Sequence, residues 1–285
     1  MLKRKTYLLE ELTWKEAAEL FKKTDMAIIN LGAIHPHGDG ALLGTDNIGA
    51  YEVANRINER CVKENLDVVI LPSIPFGYNY YHGDFEGNIS IDKKTLIDYY
   101  WNVVEWLNKW GIKKILWNTP HGGNEPCVAE VAFKARIKFG IFSARFAWDA
   151  SGAALSRSGM VDVPIKSGDE GLALEMSLCA AVRPDRVDFN ESTFRDWEEP
   201  LGDKFPMEDA HNIKFQKSII YTYLGTRDVT RSAGYGPPEN RDPSAASAEY
   251  GKRLIDGVVN FVVDFIRELK TLKIPSKYYG TGKEV

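Results

Sequence analysis

The sequence predicts an α/β fold, a mostly parallel central sheet with helices on both faces. Three observations carry this. Apolar runs of strand length recur at MAIINLGA (26–33), LDVVILPSI (66–74), KKILWNT (113–119) and IFSARFAW (141–148). Stretches with helical periodicity lie between them, so the pattern alternates strand and helix. Four such repeats need crossovers of helix length, which is how parallel strands are joined.

Taken in order, Thr13 and Glu16 make a capping box ahead of Ala17, Leu20 and Phe21, which opens a first helix. Residues 47–64 follow the first strand and carry Ile48, Val53, Ala54, Ile57 and Val62 at helical spacing. After the second strand, Asp92 caps a long helix with Leu96, Tyr99, Val103, Trp106 and Leu107 on it. Residues 125–138 are helical between the third and fourth strands, and residues 244–271 close the chain as an amphipathic helix with Leu254, Val258, Phe261, Val262 and Phe265 on its apolar face. The stretch at about 183–243 is rich in Pro, Asp and Glu and reads as a loop-rich excursion within a single domain spanning 1–285. Its Gly234, Gly236, Pro237 and Pro238 suit an active-site loop or a subunit contact.

Composition narrows the function classes. With 36 Lys and Arg against 40 Asp and Glu, the net charge of −4 offers no general attraction for nucleic acid or an anionic membrane. A small-molecule substrate is expected instead. No run of eighteen apolar residues is present, so no spanning helix is predicted. The start, MLKRKTYLLEELTWKEAAEL, lacks an apolar h-region and reads as uncleaved. Cys61, Cys127 and Cys179 each sit in an apolar helical pattern, which fits reduced, buried thiols in a cytoplasmic protein.

Histidine placement locates a site. HPHGDG follows the first strand, FGYNYYHGD the second and PHGGN the third, so His35, His37, His82 and His121 lie in loops on one edge of one sheet. Ligands of open α/β sheets bind there, beyond the carboxyl ends of the strands. In an extended His-x-His both side chains point to the same side, so His35 and His37 can reach one metal. Asp46, after a Gly-Thr turn, can bind one ion or bridge two, and His121 is the remote ligand that closes the set. Imidazole and carboxylate suit zinc and, with harder oxygen donors, manganese or iron. The fifth histidine, His211, reads as surface or interface. No GxSxG elbow, GxxxxGK[ST] loop, GxGxxG fingerprint or HExxH helix is present.

LGAIHPHGDGALLGTDN resembles the G-S-x-E-Q-H-G-x-H-L-P-x-G-T-D hallmark of the creatininase, or creatinine amidohydrolase, family. PFGYNYYHGDFEGNIS, NTPHGGN, EGLALEMS (170–177) and GYGPPENRDPSAASAEYGKRL are similar to four further blocks of that family, in the same order. The resemblance implies a parallel-sheet core, one or two divalent ions (zinc, manganese or iron) per subunit, and a homo-oligomer, often a hexamer. It aligns His37, Asp46 and His121 with metal ligands and puts His35 where the family has a glutamate ligand. Glu170 falls at the family's catalytic histidine and Glu175 at a glutamate, while Gly40 replaces the histidine of H-L-P.

The activity implied is a metal-dependent hydrolase that opens a small cyclic substrate at an amide-type C–N bond, using a metal-activated water with Glu170 or Glu175 as acid and base. The departures argue for a substrate other than creatinine. His82, Trp148, Tyr80 and Asn124 are expected to contact it, with Phe76, Tyr78 and Tyr81 walling the pocket. Two alternatives stand beside this one. The first is C–C hydrolysis of an oxidised inositol, a cyclic diketone of 3-dehydro-inosose type, with Asp39, Asn79, Asp84, Glu86 and Asn124 meeting its hydroxyls. The second is a non-catalytic metal- or ligand-binding protein.

Overall fold

Four parallel strands form the central sheet: β1 (Met26–Asn30), β2 (Val69–Ile70), β3 (Lys114–Asn118) and β4 (Phe142–Phe146), in the order β2-β1-β3-β4. The structure is a computed structural model that describes residues 5–162, 172–189, 198–209, 211–231 and 246–275. β1 and β3 pair along their whole length, from Met26 with Lys114 to Asn30 with Asn118, and every residue of both is buried. The chain leaves β1 to one side for β2, then returns across it to β3. The strand order therefore reverses between β1 and β3, and a crevice opens between their carboxyl ends. Beneath it two buried amides tie the strands together: Asn118 Nδ2 donates to Asn30 Oδ1 at 3.0 Å, and Asn30 Nδ2 donates to the Leu71 carbonyl at 2.8 Å.

The helices are α1 (Trp14–Phe21), α2 (Thr45–Glu64), α3 (Lys93–Lys109), α4 (Glu125–Phe139), α5 (Trp148–Arg157), α6 (Leu172–Val182) and α7 (Ala248–Thr271). Local chemistry sets their ends. Thr13 and Glu16 form the reciprocal capping box of α1, and Asp92 accepts from the Thr95 N–H to cap α3. α4 stops at Gly140 in the left-handed region, with φ 67°. α3 packs on α4, whereas α2, α5, α6 and α7 pack with one another, giving the two helical layers that the buried strands require. All three cysteines are buried and free. Among the described residues no helix is long and apolar enough to cross a membrane.

Three boundaries differ from the sequence reading. The apolar run at 66–74 yields only a two-residue strand, because the ladder with β1 is interrupted after Leu71 and resumes only as a bridge at Ile74. The fourth strand ends at Phe146, and Trp148 opens α5 instead; its ring lies against Gly49, where a Cβ would come within 2.5 Å of it. The excursion is also more ordered than a loop. It holds a three-stranded antiparallel sheet, β5 (Met207–Asp209), β6 (Asn212–Phe215) and β7 (Ser218–Tyr221), seated on a small cluster of Met207, Val229, Ile213 and Leu224. Gly234, Gly236, Pro237 and Pro238 lie outside the described residues.

α6 is held by close approach to α7. A Cβ on Gly251 would stand 1.9 Å from the Ser177 carbonyl oxygen, and Ser177 Oγ accepts from the Ser247 N–H at 3.0 Å. Gly251→Ala is expected to cost about 1–3 kcal/mol through overpacking against backbone, outweighing the roughly 1 kcal/mol that alanine gains in a helix interior. Urea denaturation measures this, and an unchanged or higher midpoint would refute the close approach.

Candidate metal centre

Asp46 is the focus of the crevice. It lies in the first turn of α2, which begins at Thr45 rather than at residue 47, so its carboxylate sits at the positive end of a helix. His35 and His37 come from the loop after β1, and His121 follows β3. Asp46 Oδ2 is 2.9 Å from His35 Nε2 and 3.4 Å from His121 Nδ1, while Oδ1 is 3.6 Å from His37 Nε2. All four side chains are buried.

The other nitrogen of each ring faces a backbone carbonyl. His35 Nδ1 meets Pro36 O, His37 Nδ1 meets His35 O, and His121 Nε2 meets Tyr78 O, each at 2.9 Å. A neutral imidazole that donates its one N–H to such a carbonyl turns a lone pair towards Asp46. Were all three rings neutral in this way, their lone pairs and the carboxylate would repel one another, and a cation or a proton relieves that. The His37 Nε2 atom has no hydrogen-bond partner among the described residues. The donor atoms of His35, Asp46 and His121 all lie within 4.8 Å of one another. Nitrogen and carboxylate donors at this spacing fit zinc, manganese or iron.

Without an ion the site balances its charge through protons. Burial is the largest influence on His37 and opposes its charge, yet Asp46, assisted by Glu175, outweighs it and raises His37 to about 9. Burial and the neighbouring His37 push His35 down to about 3, and burial with the surrounding imidazoles pushes His82 to about 2. Burial alone would raise Asp46, but His37 and the hydrogen bonds from the imidazoles hold it well below the usual carboxylate range.

The four residues expected to touch substrate take other positions. His82 is buried behind the centre, its ring stacked on His35 at 4.5 Å and its Nδ1 2.9 Å from Thr226 Oγ1. Asn124 Oδ1 accepts from the Tyr78 N–H and its Nδ2 donates to Gly32 O, both at 3.0 Å, so it ties two loops together. Tyr80 is 56% exposed and turned outwards on a tight turn, while its neighbour Tyr81 faces the site. Trp148 is buried against α2. Glu170 lies outside the described residues, and Glu175 of α6 faces the cavity.

That cavity, about 720 Å³, is lined by His35, His37, Asp46 and His121 on its floor and by Tyr78, Tyr81, Lys93, Asp149 and Glu175 among others. Residues 221–224 close one side. His211 lines it too, edge-on to the Tyr81 ring at 5.3 Å, because β5–β7 fold back over the crevice; it is not the remote surface residue the sequence suggested. Asp149 escaped sequence reasoning. Its signal was its place directly after the fourth strand, the same edge that carries the histidines.

A family model described as creatinine amidohydrolase matches residues 10–266. The chain belongs to the creatininase family. Homologues in the creatininase family are metal-dependent hydrolases, and the His35, Asp46 and His121 cluster could hold a metal ion. No curated protein matches the chain. Among solved structures, a candidate creatinine amidohydrolase from Bacteroides fragilis NCTC 9343 is similar at 19% identity and TM-score 0.71, covering 96% of this chain and 100% of its own. A manganese creatininase is similar at 19% identity and TM-score 0.67, covering 94% and 100%. A glutamate-to-glutamine mutant creatininase, solved in a zinc–zinc form and complexed with creatine, is 18% identical at TM-score 0.69 with the same coverage. At these identities the likeness is one of fold.

Two neighbouring glycines test the creatininase-like centre. A Cβ on Gly123 would meet Tyr78 O at 2.0 Å and His121 Nε2 at 2.6 Å, whereas one on Gly122 meets nothing within 4 Å. Gly123→Ala is expected to displace the carbonyl that orients His121 and to weaken metal binding about 10–100-fold. Gly122→Ala leaves it unchanged, as chelator competition would read. A second expectation concerns protons. His37 is protonated at neutral pH until an ion displaces the proton, so metal binding releases about one proton and tightens as pH rises towards 9. Calorimetry in buffers of different ionisation enthalpy measures this, and zero release would contradict it.

Proposed function

We propose that the chain is a metal-dependent hydrolase that opens a small cyclic substrate at an amide-type C–N bond. The observation that carries this reading is the convergence of three carbonyl-oriented imidazoles on Asp46 at the floor of a cavity that also presents the half-buried carboxyl groups of Asp149 and Glu175. His35, His37, Asp46 and His121 would hold the ion. Asp46 turns one oxygen to His35 and His121 and the other to His37, which suits one ion or a bridged pair. When bound, a divalent ion polarises a carbonyl and lowers the pKa of water towards neutrality.

The chain's own groups do the rest. Tyr78 and Tyr81 offer flat walls for a small ring, and the cavity is of the size that encloses one. Burial, reinforced by Asp46, keeps the Tyr81 phenol protonated, so its O–H, 3.3 Å from His121 Nε2, is free to be offered to a substrate. Glu175 stands where it can accept a proton from an attacking water. The creatine complex of the mutant creatininase supports the same bond type, since creatine is what ring opening of creatinine yields.

The reading of an oxidised inositol draws less support. Asn79 and Asn124, expected to meet its hydroxyls, spend their amides on backbone groups of Ile34, Tyr78 and Gly32. A homo-oligomer, a hexamer as in many relatives, and a cytoplasmic location belong to the same proposal.

Elemental analysis of protein purified without chelators is the first experiment. The expected result is one to two equivalents of zinc, manganese or iron, lost in His37→Ala and Asp46→Ala and kept in His211→Ala. The loaded protein is then screened against cyclic amides, and dipicolinate should abolish turnover. Equal metal content in the three variants would remove the site assignment; metal without turnover of any cyclic amide would favour a binding protein.

A further inference from the structure

Beyond its ligand set the cavity holds an acidic residue that neither the sequence nor the fold comparison assigns. Asp149 is the second residue of α5, immediately beyond the end of β4, and it lines the same cavity as Glu175 of α6. The two come from different helices and line the cavity together with Asp46, close enough for both Glu175 and Asp46 to act on Asp149. Asp149 Oδ1 has no hydrogen-bond partner among the described residues. A buried carboxylate oxygen in that state is costly as an anion.

The charged groups that act on it are Glu175 from α6 and Asp46 from α2, both acidic. Burial first, then Glu175, raises Asp149 to about 7, although the Ala150 N–H at the start of α5 pulls the other way. Two carboxyl groups in one cavity, one of them held neutral, is the arrangement that separates an acid from a base.

We infer that Asp149 is a catalytic acid paired with Glu175, giving its carboxyl proton to the leaving nitrogen. This rests on the hydrolase reading above. The attacking water forms the new C–O bond and passes one proton to Glu175. As the C–N bond breaks, its electron pair stays on nitrogen, which takes the proton of Asp149. The proton on Glu175 then returns to Asp149, so each turnover consumes one water and leaves both carboxyls as they began.

The test uses the metal-loaded protein and two rings with unequal leaving groups, succinimide, whose departing nitrogen is stabilised, and 2-pyrrolidone, whose nitrogen is not. Asp149→Asn is expected to lower kcat on 2-pyrrolidone about 10²–10⁴-fold, with succinimide affected less than tenfold, and Asp149→Glu should restore part of the loss. The same loss on both rings would overturn the role, since a structural defect does not sort leaving groups. Infrared spectroscopy gives a second readout, a protonated-carboxyl C=O band at about pH 6 that is present in the wild type, weakened in Glu175→Gln and missing from Asp149→Asn. Turnover without that band strikes Asp149 alone. No turnover of any cyclic amide by the loaded wild type strikes the hydrolase reading, and this role with it.

Discussion

Three imidazole lone pairs directed at one buried carboxylate form an arrangement no protein keeps without reason. One nitrogen of each ring faces a backbone carbonyl, which leaves the other directed at Asp46. The rest of the fold serves this constraint. The strand order reverses between β1 and β3, so loops carrying His37 and His121 open towards each other. α2 starts one residue before Asp46, so its amide dipoles stabilise the carboxylate while the imidazoles fix its direction. Gly123 lacks the Cβ that would sit between His121 and its carbonyl. Asn124 and Asn47 fasten the loops from behind, the latter donating to Ala33 O and Pro75 O.

Rigidity on one side of the cavity contrasts with a looser wall on the other. The floor rests on strands whose residues are all buried, and its loops are cross-linked by side-chain amides. The opposite wall is the antiparallel sheet, whose last strand is exposed throughout and whose neighbour Tyr223 is 95% exposed. Beyond that sheet, the turn at Thr226–Asp228 is tied to the centre by the bond between Thr226 and His82. His82 in turn stacks on His35, so the contact from this turn ends one ring away from Asp46.

Much of the core was legible because its signals are local or periodic. The capping box at Thr13, the Asp92 cap and the apolar runs of β1 and β3 act within a few residues of themselves, so the sequence carries them openly. His35, His37 and His121 were legible for a different reason: strand ends converge, and rare side chains at several ends mark the crevice. What failed depended on side-chain direction in irregular backbone. Tyr80 and Tyr81 occupy one tight turn, and a single residue's rotation decides which faces the site. Asn124 looked like a substrate ligand because nothing local reveals that the backbone of Tyr78 and Gly32 claims it. β5–β7 were hidden in a Pro- and Asp-rich stretch whose short strands pair with each other and bury only Met207 and Val229.

A cluster with three imidazoles and a single carboxylate sets the charge of the whole cavity floor. The centre keeps one carboxylate, Asp46, among three neutral imidazoles, so a single divalent ion would leave a net charge of +1 on the floor. Glu175 alone can offset that, which allows Asp149 to stay protonated beside it, since a second buried anion would face Glu175 and Asp46 with no cation left to balance it. A second divalent ion would supply two further positive charges and draw the proton from Asp149. Ion number and the protonation of Asp149 are thus one coupled quantity. On the acid role inferred above, the state with few ions bound is the one that keeps the proton a poor leaving nitrogen requires.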